Sequence, residues 1–164
     1  MHEKFMQRVL EIARQSLEQT GALPFGAVVV RDGAIVGEGL NRSQALLDPT
    51  SHGEIEAIRD ACKRLGTTDL SGCDLYTSCE PCAMCAATML QAGIARVFYA
   101  GDTVDGGGLF DRLGAHDAKW RRRISSAELR EQVGLPTQQR RMPSERLMAA
   151  ENLAIFEEFE RRNT

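Results

Sequence analysis

Residues 72–101 read GCDLYTSCEPCAMCAATMLQAGIARVFYAG. Two runs in this stretch, CDLYTS and ARVFYA, are short and rich in β-formers. Between them CAMCAATMLQAG is apolar on most sides, as a buried helix is, and Pro81 stands where such a helix begins. Toward the N-terminus, HGEIEAIRDACKRLG reads as another helix, with Ser51 as its N-cap and Gly66 as its terminator. The preceding NRSQALLDPTS has no clean period and carries Pro49, so it reads as a loop. GAVVV and AIVGEGLN flank Asp32-Gly33, which signals a hairpin. Residues 2–19 place Phe5, Met6, Val9, Leu10, Ile12, Ala13 and Leu17 on a helical period, and Gly21 follows as a stop. The order helix, hairpin, helix, strand, helix, strand predicts a layered α/β domain. Beyond it, residues 101–124 read as loop, around Gly106-Gly107-Gly108 and Trp120. Ser125-Ser126-Ala127-Glu128 resembles a capping box opening a short helix. Residues 144–162 place Leu147, Ala150, Leu153, Ala154, Phe156 and Phe159 at helical spacing. No repeat or linker interrupts the chain, so residues 1–164 are expected to form one domain.

The composition is 43% apolar and 26% charged over 164 residues, that of an ordinary globular protein able to bury a core without staples. No apolar run approaches the roughly 20 residues that span a bilayer. The first fifteen residues mix charge into an apolar pattern and lack a cleavage site, so a cytoplasmic location is expected and a membrane partner is not. There are five cysteines, an odd number, and Cys79, Cys82 and Cys85 fall within seven residues. That crowding reads as metal chemistry, not as a disulfide framework. The net charge of −3 argues against a polynucleotide partner. The basic runs Lys119-Trp120-Arg121-Arg122-Arg123 and Arg140-Arg141 read as solvated surface.

Two short motifs carry chemistry: His52-Gly53-Glu54 and Pro81-Cys82-Ala83-Met84-Cys85. Catalytic zinc takes three protein ligands and leaves a fourth position for water. Cys82 and Cys85, three apart at a helix start, point their sulfurs to one side, and the helix N-terminus favours their thiolates. His52, at the start of another helix, supplies the third ligand. Glu54 then leans over the water as a proton shuttle without binding the metal. Each piece has a plainer reading. Ser51 to Glu54 also fits a capping box, and a C-x-x-C pair also serves redox or structural sites. A structural site would take Cys79 or another residue as its fourth ligand. Cys62 and Cys73 read as ordinary helix and strand residues. The two motifs together, H-x-E with P-C-x-x-C, are the signature of zinc nucleobase deaminases.

With those residues in place, the chain resembles the cytidine deaminase-like superfamily from about Phe5 to Asp111. The matching runs are PFGAVVVRDG, GEGLN, DPTSHGEIEAIRDAC, LYTSCEPCAMC and RVFYAG. The resemblance implies a three-layer α/β/α sandwich around a mixed, mainly five-stranded sheet, with the motif-bearing helices together on one face. It implies zinc ligands at His52, Cys82 and Cys85, an acid/base at Glu54, and a base held by Asn41, Gly53, Phe25 and Asp111. It further implies a homodimer, and a C-terminal segment that covers the pocket. The alternative for Leu153, Ile155, Phe156 and Phe159 is ordinary packing.

PFGAVVV, DPTSHGE and TSCEPCAMC are most similar to bacterial guanine deaminases, which implies a free nucleobase as the small-molecule substrate. Gly53 departs from the commoner alanine and is shared with fungal cytosine deaminases, which keeps cytosine, a pterin or a triazine as alternatives. tRNA adenosine ranks last. The rival from outside enzymology is a catalytically silent zinc-binding module. A further rival is an RNA-binding editing protein, which the acidic balance disfavours.

Overall fold

The computed structural model describes residues 2–164. Asp32 and Gly33 both take left-handed backbone, with φ of 51° and 77°. This is the turn that matches strand twist, and Asp-Gly tolerates it. It folds β1 (Leu23–Arg31) onto β2 (Ala34–Asn41) in antiparallel register. β3 (Asp74–Cys79) adds antiparallel to the other edge of β1, and β4 (Arg96–Gly101) adds parallel to β3. The result is a mixed four-stranded sheet in the order β2-β1-β3-β4. The fifth strand implied by the resemblance is absent among the described residues, because the chain after β4 turns into helix and carries no further β-like run.

Period-two alternation in β1 divides the core. Val28 and Val30 face α1 (His2–Arg14), where they meet Phe5, Val9, Ile12 and Tyr76. Ala27 and Val29 face the other way, toward α2 (Gly53–Leu65) and α3 (Ala83–Ala92). The two motif helices therefore share one face of the sheet, and α1 covers the opposite face. Small residues set how near α2 comes. A Cβ on Gly39 would stand 2.1 Å from the Gly53 carbonyl oxygen, and one on Gly37 would stand 2.3 Å from that of Ala57. Only glycine at both positions lets the start of α2 lie directly on β2.

Residues 103–116 were expected as loop and instead form α4 (Thr103–His116). Asp102 accepts hydrogen bonds from the Val104 and Asp105 amides, and the Asp105 carboxylate accepts one from the Asp102 amide. This capping box starts a helix that three central glycines only weaken. A Cβ on Gly106 would stand 3.0 Å from the Cys79 sulfur, a tight contact that glycine avoids. The expected cap at Ser125 does form: its Oγ accepts from the Glu128 amide and opens α5 (Ser126–Gly134).

The chain divides into two compact units, the first running to Leu129 and the second Arg130–Thr164, with the boundary inside α5. The second unit carries α6 (Ala149–Asn163) and contains no buried residue. It is held by polar contacts such as Arg140 Nε to the Leu135 carbonyl, 3.0 Å, and Ser144 Oγ to that of Thr137, 3.3 Å. No helix among the described residues is long and apolar enough to cross a membrane.

Candidate metal centre

His52 and Cys82 occupy equivalent positions: each is the N-cap of its helix, in extended backbone, and neither uses its side chain to cap. Their side chains point instead at each other. His52 Nδ1 lies 3.7 Å from Cys82 Sγ and 3.5 Å from Cys85 Sγ, and the two sulfurs are 3.6 Å apart. Tetrahedral zinc with ordinary bond lengths would space two sulfurs about 3.8 Å apart and a sulfur and a nitrogen about 3.6 Å apart. The donor set therefore fits zinc in both chemistry and spacing. Among the described residues these three form the one such cluster. Cys79 does not join it as a fourth ligand, because its thiol donates to the Asp102 carbonyl at 3.2 Å.

The Ser51–Glu54 capping box is not formed. The helix starts one residue later than Ser51 suggests, with His52 as N-cap, and the Ser51 hydroxyl donates to Glu56 at 3.0 Å. That leaves Glu54 free to turn inward, where it is 6% exposed and faces the Cys85 thiol. Burial pushes its carboxyl above the usual range. Hydrogen bonding from Cys85, and next from His52, pulls Cys82 down to about 4 against the cost of its burial. The same contact with the Cys82 sulfur, together with burial, holds Cys85 protonated. His52 is raised, chiefly by its hydrogen bond to Cys82. One thiolate is thus already favoured beside the histidine, as a metal ligand requires.

His52, Glu54 and Cys82 open on a cavity of about 460 Å³. Its wall also includes Phe25, Asn41 and Phe110, the two phenylalanine rings stacking at 5.9 Å. Gly53 is buried at the start of α2, where a Cβ would meet the Phe25 carbonyl at 2.5 Å; its lack of a side chain is explained by packing on β1. Asp111 lies elsewhere, on an adjoining cavity with Gly114 and Ala115. Sequence reasoning missed Ser43, Phe110, Trp120, Arg121 and Arg122, all of which line the metal-side cavity. The cations of the basic run are solvent-exposed, as expected, and Lys119, Arg121 and Arg122 also border the cavity. In the structure Arg122 sits over the Phe110 ring at 5.4 Å, at the cavity wall. Its pairing with an aromatic ring on a helix that read as loop left no periodic signal.

Residues 1–101 match the model of the cytidine and deoxycytidylate deaminase zinc-binding region. The chain belongs to that family, and its fold and donor set are those of a zinc-dependent hydrolytic deaminase. The guanine deaminase of Bacillus subtilis (strain 168) is 47% identical over 104 residues, which is 63% of this chain and 67% of that one. A tRNA-specific adenosine deaminase of Aquifex aeolicus (strain VF5) is 39% identical over 98 residues, 60% of this chain and 64% of its own length. The X-ray structure of the Bacillus subtilis guanine deaminase matches with a TM-score of 0.82 at 35% identity, covering 100% of this chain and 95% of that one.

Proposed function

We propose that the chain deaminates a free nucleobase, guanine, to xanthine and ammonia, with zinc held by His52, Cys82 and Cys85. The observation that carries the chemistry is Glu54: a buried carboxyl beside the three-donor cluster and outside it. The likeness to guanine deaminase over the whole chain supports the choice of base. Zinc, when bound, would make a water molecule more acidic and stabilise negative charge in its place.

Glu54 accepts a proton from water as the water oxygen bonds to the ring carbon that bears the amine. It passes this proton to the adjacent ring nitrogen. The remaining hydroxyl proton then travels through Glu54 to the amine, which leaves as ammonia. Water, two protons and one leaving group balance. Phe25 and Phe110 offer an apolar wall for the flat ring, and Asn41 offers a polar contact to its edge.

Leu153, Phe156 and Phe159 form a stripe on α6 that is 55%, 62% and 69% exposed. Apolar area of this kind calls for a partner, and a homodimer supplies it. Light scattering on the purified chain tests that assignment. Five free cysteines, two of them metal ligands in this reading, suit the reducing cytoplasm.

The mechanism is tested at Glu54. Glu54→Ala is expected to retain one zinc per chain by metal analysis while kcat falls about 10²- to 10⁴-fold. Near-normal turnover by the metal-loaded variant would remove Glu54 from the proton path.

A further inference from the structure

Asn41 ends β2 and is 3% exposed, one of four buried polar residues described in the chain. Its side-chain oxygen accepts two hydrogen bonds, from the Ser43 amide at 3.1 Å and from the Ser43 hydroxyl at 2.9 Å. An amide oxygen has two lone pairs, so these bonds saturate it. The Asn41 Nδ2 makes no hydrogen bond to the described residues, yet no buried side-chain nitrogen or oxygen is left orphaned. It is therefore accessible, and Asn41 lines the same cavity as His52 and Glu54.

The orientation of this amide is not free. Turning it over would set its NH₂ against the Ser43 backbone N–H, donor against donor. The backbone amide of Ser43 thus fixes the sense of the Asn41 side chain. Its hydroxyl takes the second lone pair, fixes the amide plane and removes the oxygen from any contact with a ligand.

We propose that Ser43 is a positioning residue that presents Asn41 to the substrate as a donor only, so that this wall selects heterocycles offering a hydrogen-bond acceptor there. The inference rests on the nucleobase reading above. Purine ring nitrogens and carbonyl oxygens meet the requirement, and an exocyclic amine turned to this wall does not. Ser43 acts through Asn41 and makes no bond to the reacting atoms.

The test is a double-mutant cycle on the zinc-loaded chain, using whichever of guanine, cytosine or adenine the wild type turns over. Ser43→Ala should raise KM about fivefold, the worth of one net hydrogen bond, with kcat little changed. Ser43→Thr, which keeps the hydroxyl, should restore the wild-type KM. In an Asn41→Ala background, Ser43→Ala should cost nothing further. If Asn41→Ala turns over too slowly to measure, the same cycle is run on the dissociation constant of the base in the Glu54→Ala chain.

An equal penalty from Ser43→Ala in both backgrounds, or no rescue by threonine, would show that Ser43 merely holds its loop, and the inference would be wrong. Absence of turnover and of binding with every base would instead overturn the nucleobase reading itself, and this inference with it.

Discussion

The two faces of the sheet are built from different materials. On the α1 side the side chains are large and interlocked. Phe5 and Tyr76 have ring centroids 5.1 Å apart, Tyr76 stacks on Phe98 at 4.7 Å, and Val9 and Ile12 fill the spaces between. On the α2 side Ile55, Ile58, Leu75 and Met89 fill a core of their own, but where α2 meets β2 the contact is between small residues, with Gly37 and Gly39 against Gly53, Ala57 and Ala61. Large side chains supply buried area and hence stability. Glycine against backbone supplies little area and fixes that distance closely. The proposed metal ligand His52 and the carboxyl of Glu54 stand at the end of α2 that rests on Gly39. Both faces hold the fold together, and the glycine contact on the α2 side also sets the geometry of the site.

Mutations should separate these roles. Phe5→Ala should cost about 3–5 kcal/mol of stability by denaturant unfolding. Zinc content and KM below the new midpoint should stay at wild-type values. A site damaged in proportion to that loss would erase the distinction between the faces. Gly39→Ala should cost less stability, about 1–3 kcal/mol, because it overpacks a contact instead of emptying one. It should nonetheless lower zinc affinity, measured by competition with a chelator, since His52 must move. Unchanged affinity would mean that the close approach does not position the ligand.

The smallest effect is expected from Arg8, which ties α1 to β2 through two bonds to Glu38 of 2.8 and 2.7 Å. Those hydrogen bonds hold Glu38 below the usual glutamate range. The stability they add is complete above the unfolded-state pKa and is lost as pH falls through the lower folded value. The pair is partly solvated, so it contributes no more than about 1 kcal/mol. Glu38→Gln should flatten the acid limb of stability against pH and leave the neutral region nearly level.

Much of this was legible in the sequence because local chemistry and tertiary structure agree there. Asp32-Gly33 has only one good way to turn. The period of α1 places Phe5, Val9, Ile12 and Ala13 in the core, although Leu10 and Leu17, read on the same face, are exposed and the helix ends at Arg14. The H-x-E and C-x-x-C motifs name donors that geometry then brings within bonding distance of one ion. Elsewhere the two levels compete. Gly106, Gly107 and Gly108 look like loop, but the Asp102 capping box starts a helix there, and Gly106 eases its packing against the Cys79 sulfur. Ser51 looks like an N-cap, but His52 takes that place and Glu56 takes the serine hydroxyl. The polarity of Asn41 could not be read at all, because it depends on which atom of the amide Ser43 engages.

Ammonia release by the zinc-loaded chain, with guanine, cytosine, cytidine and adenine at equal concentration, tests the central claim most directly. Rapid release from guanine and little from the other three is expected. Release from cytosine but not guanine would keep the metal chemistry and contradict the assigned base. Silence on all four, with zinc bound, would contradict the assignment of this site to nucleobase deamination.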